Sequence, residues 1–326
     1  MRYREGDRWA NGMKIAVVGA GGIGGYVGGR LAEAGESVHL VARGTHLEAL
    51  RRNGLRIECP LGDVTLPGIE ATDDPAEIGP VDVVVFAVKL GGTDAAARSL
   101  APLIGWHTRI VTLQNGIDSK EMIARHVDET QIAAGCTYLS SHIREPGVIH
   151  APGGPHGLII DELSRDPTIA AFVRACLVAS GLEARATADI EHVLWEKFVT
   201  LVAFSGVTCL TRSPIGAVFA HPESVAFLRR LLAENLSVAA ASGQGFAADR
   251  AEAIVALFRS LPGSTKSSML VDLVAGRPLE VPWLSGRMLD LARSFGCETP
   301  ATAAVVAALV PHAEGQRPVD HHACNS

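Results

Sequence analysis

Apolar residues follow two rhythms along this chain. Up to about residue 188, short runs rich in valine and isoleucine alternate with helical stretches: KIAVVGA (14–20), SVHLVAR (37–43), VDVVVFAVK (81–89) and RIVTLQNG (109–116). Near-continuous apolar runs separated by helices predict parallel strands in a sheet covered on both faces. The stretch after the first run, GIGGYVGGRLAEAG, predicts a helix, which makes the opening a βαβ unit of the doubly wound kind. From about Asp189 the pattern changes and strand signals nearly vanish. Helices are predicted over 189–211, 222–242, 248–259, 266–275, 282–295 and 301–310. Thr299 is placed to cap the last of these, with Pro300 at its first helical position. The predicted fold class is therefore α/β, with an N-terminal Rossmann-type doubly wound sheet and an all-helical C-terminal domain. The expected boundaries are an extension over 1–12, the Rossmann domain over 13–187, the helical domain over 188–312 and a tail over 313–326.

Length and composition fit that picture. The 326 residues suffice for two domains, and the balance of 48% hydrophobic to 20% charged residues excludes a disordered chain. A net charge of −6 without a long basic run argues against nucleic acid as a partner. Cys59, Cys136, Cys176, Cys209, Cys297 and Cys324 lack CxxC spacing and read as free thiols, mostly buried. The polar start MRYREGDRWANG is no signal peptide, and no apolar run approaches the roughly 20 residues of a spanning helix. A cytoplasmic protein without a membrane partner is expected. His321, His322 and Cys324 carry metal-binding chemistry, but they read as part of an unstructured tail, and no metal is expected. Apolar faces in the helical half permit a homodimer.

The candidate chemistry begins in GAGGIG. Gly19, Gly21 and Gly24 have GxGxxG spacing, after a strand and at the start of a helix, as dinucleotide binding requires. The first glycine permits a tight turn, the second lets a pyrophosphate approach, and the third lets helix and strand pack closely. The alternative is a glycine-rich turn serving packing alone. At the end of the second strand an NAD site places an acid for the ribose hydroxyls. This chain has Arg43 there, and a guanidinium suits a 2′-phosphate, so NADP(H) is the expected cofactor. Otherwise Arg43 is a solvated loop charge. Lys89 and Asn115 end apolar strands, where ligands bind in open sheets; a solvated lysine and an Asn-Gly turn are the plainer readings. Lys197 stands in LWEKFVTLVAFSG, an almost wholly apolar helix. It either snorkels to an edge or occupies a partly dry pocket.

The chain resembles the ketopantoate reductase (2-dehydropantoate 2-reductase) family from about residue 13 to 310. The resemblance rests on KIAVVGAGGIGG, VARG, FAVK, LQNG, GCTYLSS, LWEKF, KSSMLVDLVAGRPLEV and CETPATAAV, in that order. It implies NADPH-dependent reduction of a 2-oxo acid to a 2-hydroxy acid, in pantothenate biosynthesis for the best-known member, at a cleft between the two domains. It further implies that Gly19, Gly21, Gly22, Ile23, Gly24, Arg43, Lys89 and Asn115 contact the cofactor. Lys197 matches the catalytic lysine and general acid, Ser268 a substrate-binding serine, and Glu280 a glutamate near both substrate and lysine; Asn115 also borders the substrate. Without the resemblance, Ser267 and Ser268 read as a helix cap and Glu280 as an exposed loop acid. Leu201, Ser205 and Ser285 stand where ketopantoate-reducing members carry asparagines. That loss of amides points to a less polar substrate. Two further readings remain open: a dehydrogenase acting on another substrate class, and a non-catalytic NADP(H)-binding sensor.

Overall fold

A computed structural model describes Trp9 and residues 12–315. Most of the expected extension lies outside the described residues, as do His321, His322 and Cys324. In chain order the elements are β1 (Lys14–Val18), α1 (Gly22–Glu33), β2 (Ser37–Val41), α2 (Gly44–Asn53), β3 (Leu55–Glu58), β4 (Val64–Leu66), β5 (Glu70–Thr72), β6 (Val83–Phe86), α3 (Thr93–Arg98), β7 (Arg109–Thr112), α4 (Ser119–Ala124), β8 (Ile132–Thr137), β9 (His142–Glu145), β10 (Val148–His150), β11 (Gly157–Asp161), α5 (Pro167–Val178) and β12 (Glu183–Thr187). Helices alone follow: α6 (Ile190–Thr211), α7 (Ile215–Phe219), α8 (Pro222–Ala241), α9 (Arg250–Ser260), α10 (Ser268–Val274), α11 (Ser285–Phe295) and α12 (Pro300–Leu309). The chain divides into two compact units between Leu194 and Trp195, within α6.

The main sheet has the order β12-β11-β8-β7-β6-β1-β2-β5. From β5 to β8 every pairing is parallel, in the doubly wound arrangement the valine-rich runs predict. The expectation of a wholly parallel sheet needs one correction, because β8 and β11 pair antiparallel. Alternate residues of each strand serve opposite faces. Ile15, Val17, Val83 and Val85 pack with α1 and α5. Ala16, Val18, Val84 and Phe86 pack with α3 and α4. A second sheet, β4-β3-β10-β9, has no counterpart in the sequence reading. Its strands are three or four residues long, too short for an alternation signal.

The two sheets hold α1 between them. A Cβ at Gly28 would lie 2.8 Å from Val17 of β1, and one at Gly29 would lie 2.5 Å from Ile57 of β3. The helix is buried nearly all round, including Tyr26 and Arg30. These polar groups find partners on neighbouring loops. The Tyr26 hydroxyl donates to the Gly181 carbonyl at 3.0 Å, and Arg30 Nη2 donates to the Gly62 carbonyl at 2.6 Å. Burial pushes the Tyr26 phenol up to about 12.

In the helical unit, α12 starts at Pro300 with Thr299 at the N-cap position, but the Thr299 side chain caps nothing. Glu234 of α8 does so instead, accepting from the Ala301 and Thr302 amides at 2.8 Å each. A carboxylate carries full charge to the positive end of the helix, which a hydroxyl does not. A second correction concerns α6. At 22 residues with mean hydropathy 1.5 it is long and apolar enough to cross a membrane by length and composition, and 61% of that window is buried inside the fold. The sequence predicts this helix over 189–211, but without an apolar run of spanning length.

The packing of α1 predicts two unequal losses. Gly24→Ala places a methyl 2.2 Å from the Gly19 carbonyl oxygen, a backbone atom, whereas Gly29→Ala meets the mobile end of Ile57. Urea unfolding should show a loss of about 3 kcal/mol for the first and about 1 kcal/mol for the second. Equal losses would contradict this account of the packing.

Candidate active site

The glycine-rich turn joins β1 to α1. Gly19 has φ +95°, a conformation that favours glycine, and a Cβ there would lie 2.7 Å from the Val88 nitrogen. The amides of Gly19 and Ala20 both donate to the Val41 carbonyl at 3.2 Å, which seats the turn on the end of β2. Gly21 is the N-cap of α1, with no side-chain cap and no acidic residue in the first turn. A Cβ at Gly21 would touch nothing within 4 Å. A Cβ at Gly22, in contrast, would strike the Ser141 carbonyl at 2.3 Å. The turn therefore has closed flanks and an open space beside Gly21, next to a helix end without an anionic partner. A pyrophosphate fits this donor set by charge and by room. Ile23 lies half-buried behind it.

Arg43 is exposed at the N-cap position of α2, in extended conformation (φ −141°), just past the end of β2. No carboxylate occurs between Ala42 and His46. Lys89 and Asn115 lie beyond their strands rather than at the last strand residue. Pairing ends at Phe86 and Thr112, and the sequence reading extended both strands by three residues or more. The Val88 nitrogen abuts Gly19, and the Gln114 side chain donates to the Val88 carbonyl at 2.9 Å and to Thr93 Oγ1 at 2.7 Å. The segments bearing Gly19, Lys89 and Asn115 thus converge at the carboxyl ends of β1, β6 and β7. Gln114 escaped the sequence reading. Its one sequence signal is a polar residue just after an apolar strand, a signal it shares with the adjacent Asn115.

In the helical unit, α6 shows two faces. Phe198, Val199, Val202, Ala203, Gly206 and Val207 are buried, whereas Leu194, Lys197, Thr200, Leu201 and Phe204 form a half-buried strip. Lys197 is the one cation on that strip. The preceding Glu196 carboxylate is engaged by Arg250 of α9, and Phe204 packs on Phe258 with ring centroids 4.9 Å apart. Ser267 and Ser268 separate in role. Ser267 is the true cap of α10, accepting from the Leu270 amide at 3.1 Å and bonding Thr208 of α6 at 2.8 Å. Ser268 is exposed. Glu280 is half-buried and starts a 3-10 turn over Val281–Trp283; its carbonyl accepts from the Leu284 amide at 3.0 Å.

The three positions that depart from the asparagine pattern also separate. Leu201 lies on the strip with Lys197. Ser205 and Ser285 are fully buried, and neither hydroxyl has a hydrogen-bond partner among the described residues. Among the described residues, no group of three or more His, Cys, Asp or Glu side chains could hold a metal ion. Cys59, Cys136, Cys176 and Cys209 are buried free thiols, and Cys297 is half-buried.

Residues 15–165 match the family model described as "Ketopantoate reductase PanE/ApbA", and residues 189–312 match "Ketopantoate reductase PanE/ApbA C terminal". A 2-dehydropantoate 2-reductase of Mesorhizobium japonicum is 30% identical, with 90% of this chain and 96% of the relative covered. An uncharacterized oxidoreductase of Bacillus subtilis is also 30% identical, over 91% and 98% of the two chains. Among solved structures, 2-dehydropantoate 2-reductase from Geobacter metallireducens aligns with a TM-score of 0.85 at 30% identity, covering 91% of this chain and 99% of that one.

The two neighbouring serines give a test of the local geometry. Ser267→Ala should cost about 1–2 kcal/mol in urea unfolding, through loss of the cap and of the Thr208 bond. Ser268→Ala should stay within about 0.5 kcal/mol of the parent. The reverse order would mean that the cap is misassigned.

Proposed function

The chain belongs to the ketopantoate reductase family, and on that premise we propose that it is an NADPH-dependent oxidoreductase that reduces a small 2-oxo acid to the 2-hydroxy acid, with Lys197 as general acid. The observation that carries this reading is the strip on α6. Lys197 stands half-buried on the same face of α6 as Leu194, Leu201 and Phe204, which puts an ammonium in partly apolar surroundings, where it stabilises a developing negative charge more strongly than in water.

The glycine turn binds the pyrophosphate through the amides at the start of α1, and Arg43 pairs with the 2′-phosphate. Lys89 and Asn115 hold the cofactor beside the strand ends. When bound, the reduced nicotinamide supplies a hydride to the substrate's keto carbon. As that hydride arrives, negative charge develops on the keto oxygen. The Lys197 ammonium donates a hydrogen bond to that oxygen, stabilises the charge and delivers the proton that completes the hydroxyl. Leu201 and Phe204 keep water from the ammonium, which strengthens the interaction. Ser268 hydrogen-bonds the substrate carboxylate, and Glu280 orients the lysine and the substrate.

Substrate choice follows from the same residues. Leu201 presents an alkyl group where an amide is expected, and the Ser205 and Ser285 hydroxyls are shut away from solvent. This supports a 2-oxo acid less polar than ketopantoate, because a site without amide partners gains little from extra hydroxyls.

NADPH oxidation against a series of 2-oxo acids tests the activity. Ketopantoate should be turned over less efficiently than alkyl-substituted 2-oxo acids, and Lys197→Ala should lower kcat by about 10²–10⁴-fold while NADPH affinity changes less than about twofold. Parallel loss of both would make the lysine structural. Arg43→Ala should weaken NADPH binding by about 10- to 100-fold and leave NADH binding nearly unchanged, since only the former loses a charged partner. Unchanged cofactor preference would remove Arg43 from the site.

A further inference from the structure

His46 lies in the first turn of α2, three residues beyond Arg43, and is half-buried. Its two ring nitrogens have different partners. Nε2 is 2.9 Å from the Ala20 carbonyl oxygen, and the Gly147 amide donates to Nδ1 at 3.1 Å. A backbone amide can only donate and a carbonyl can only accept. Nδ1 must therefore be the lone-pair nitrogen and Nε2 must carry the proton. Both bonds fix the same neutral tautomer. Burial also pushes the ring below the ordinary imidazole value, opposed in part by the Ala20 bond.

Ala20 is the central residue of the glycine turn. Its carbonyl and the amide of Gly21 belong to one peptide plane, in which C=O and N–H point in opposite directions. Holding the Ala20 carbonyl toward His46 consequently turns the Gly21 N–H away from α2. The far end of the tie is firm as well. Gly147, in the turn between β9 and β10, has φ +82°, and its carbonyl accepts from the Arg56 amide of β3 at 2.9 Å. The ring thus anchors the turn to the four-stranded sheet.

We propose that His46 is a positioning residue for the dinucleotide, setting the peptide plane whose Gly21 amide receives the pyrophosphate. This rests on the cofactor reading above. A residue that merely tied α2 to its neighbours would need either bond equally. A positioning residue needs the bond to Ala20 above all.

Two substitutions divide the bonds. The side-chain amide of glutamine falls near the Nε2 position and can still donate to Ala20. That of asparagine falls near Nδ1 and can still accept from Gly147. The experiment measures NADPH dissociation constants by titration, thermal midpoints, and amide hydrogen exchange over residues 19–22 in the protein without cofactor. For H46A and H46N we expect NADPH binding weakened about tenfold and faster exchange in the turn. H46Q should bind within about threefold of the parent with near-parental exchange. Parental binding in H46A, or equal weakening in H46N and H46Q, overturns the proposal while leaving the cofactor reading intact. A parent protein that binds neither NADPH nor NADH overturns both. If H46A does not fold, the order of H46Q against H46N decides.

Discussion

An uncapped helix end needs an electrostatic partner, and much of the amino-terminal unit is arranged around the first turn of α1. That turn has no acid and no side-chain cap. The surrounding structure keeps it so. The Val41 carbonyl takes the amides of Gly19 and Ala20, the Ser141 carbonyl closes one flank, and the flank at Gly21 is left open. A helix terminus of this kind is stable in water but attracts an anion strongly, and the pyrophosphate of a dinucleotide supplies two charges in the required geometry.

The helical unit is organised differently. Several of its polar side chains serve as ties between helices. Glu234 caps α12, Ser267 caps α10 and Glu196 holds Arg250. Lys197 lies half-buried on the same face of α6 as Leu194, Leu201 and Phe204. Ser205 and Ser285 are the opposite case, polar groups enclosed without partners, each at a cost of about 1–3 kcal/mol. Among the described residues of this unit, Arg250 Nε shares that condition.

How far the sequence is legible depends on the range of each interaction. The strands β1, β2, β6 and β7 follow from near-continuous apolar runs, and the six longer carboxy-terminal helices follow from local patterning. The glycine turn is legible for the same reason, being a local motif with local context. What escaped is non-local. The antiparallel joint at β8, the four-stranded sheet and the Glu234 cap all pair residues distant in sequence. Gln114 and His46 belong to the same class: each acts by reaching a backbone carbonyl on another element. Thr299 shows the limit from the other side. Its spacing predicts the helix start correctly, yet a carboxylate 67 residues before Ala301 supplies the bonds.

The placement of α1 between two sheets has a consequence for synthesis. The first βαβ segment emerges from the ribosome complete in outline by residue 41, yet the cover that the four-stranded sheet gives α1 stays incomplete until β10 joins β3. The Ser141 carbonyl that flanks Gly22 and the Gly147 amide that holds His46 arrive later still than β6 and β7. The nascent nucleotide turn therefore stays unfinished through roughly the first half of translation, and its maturation waits on contacts of long sequence separation, which form slowly. A polypeptide released before residue 150 has the glycine motif without the clamp that shapes it.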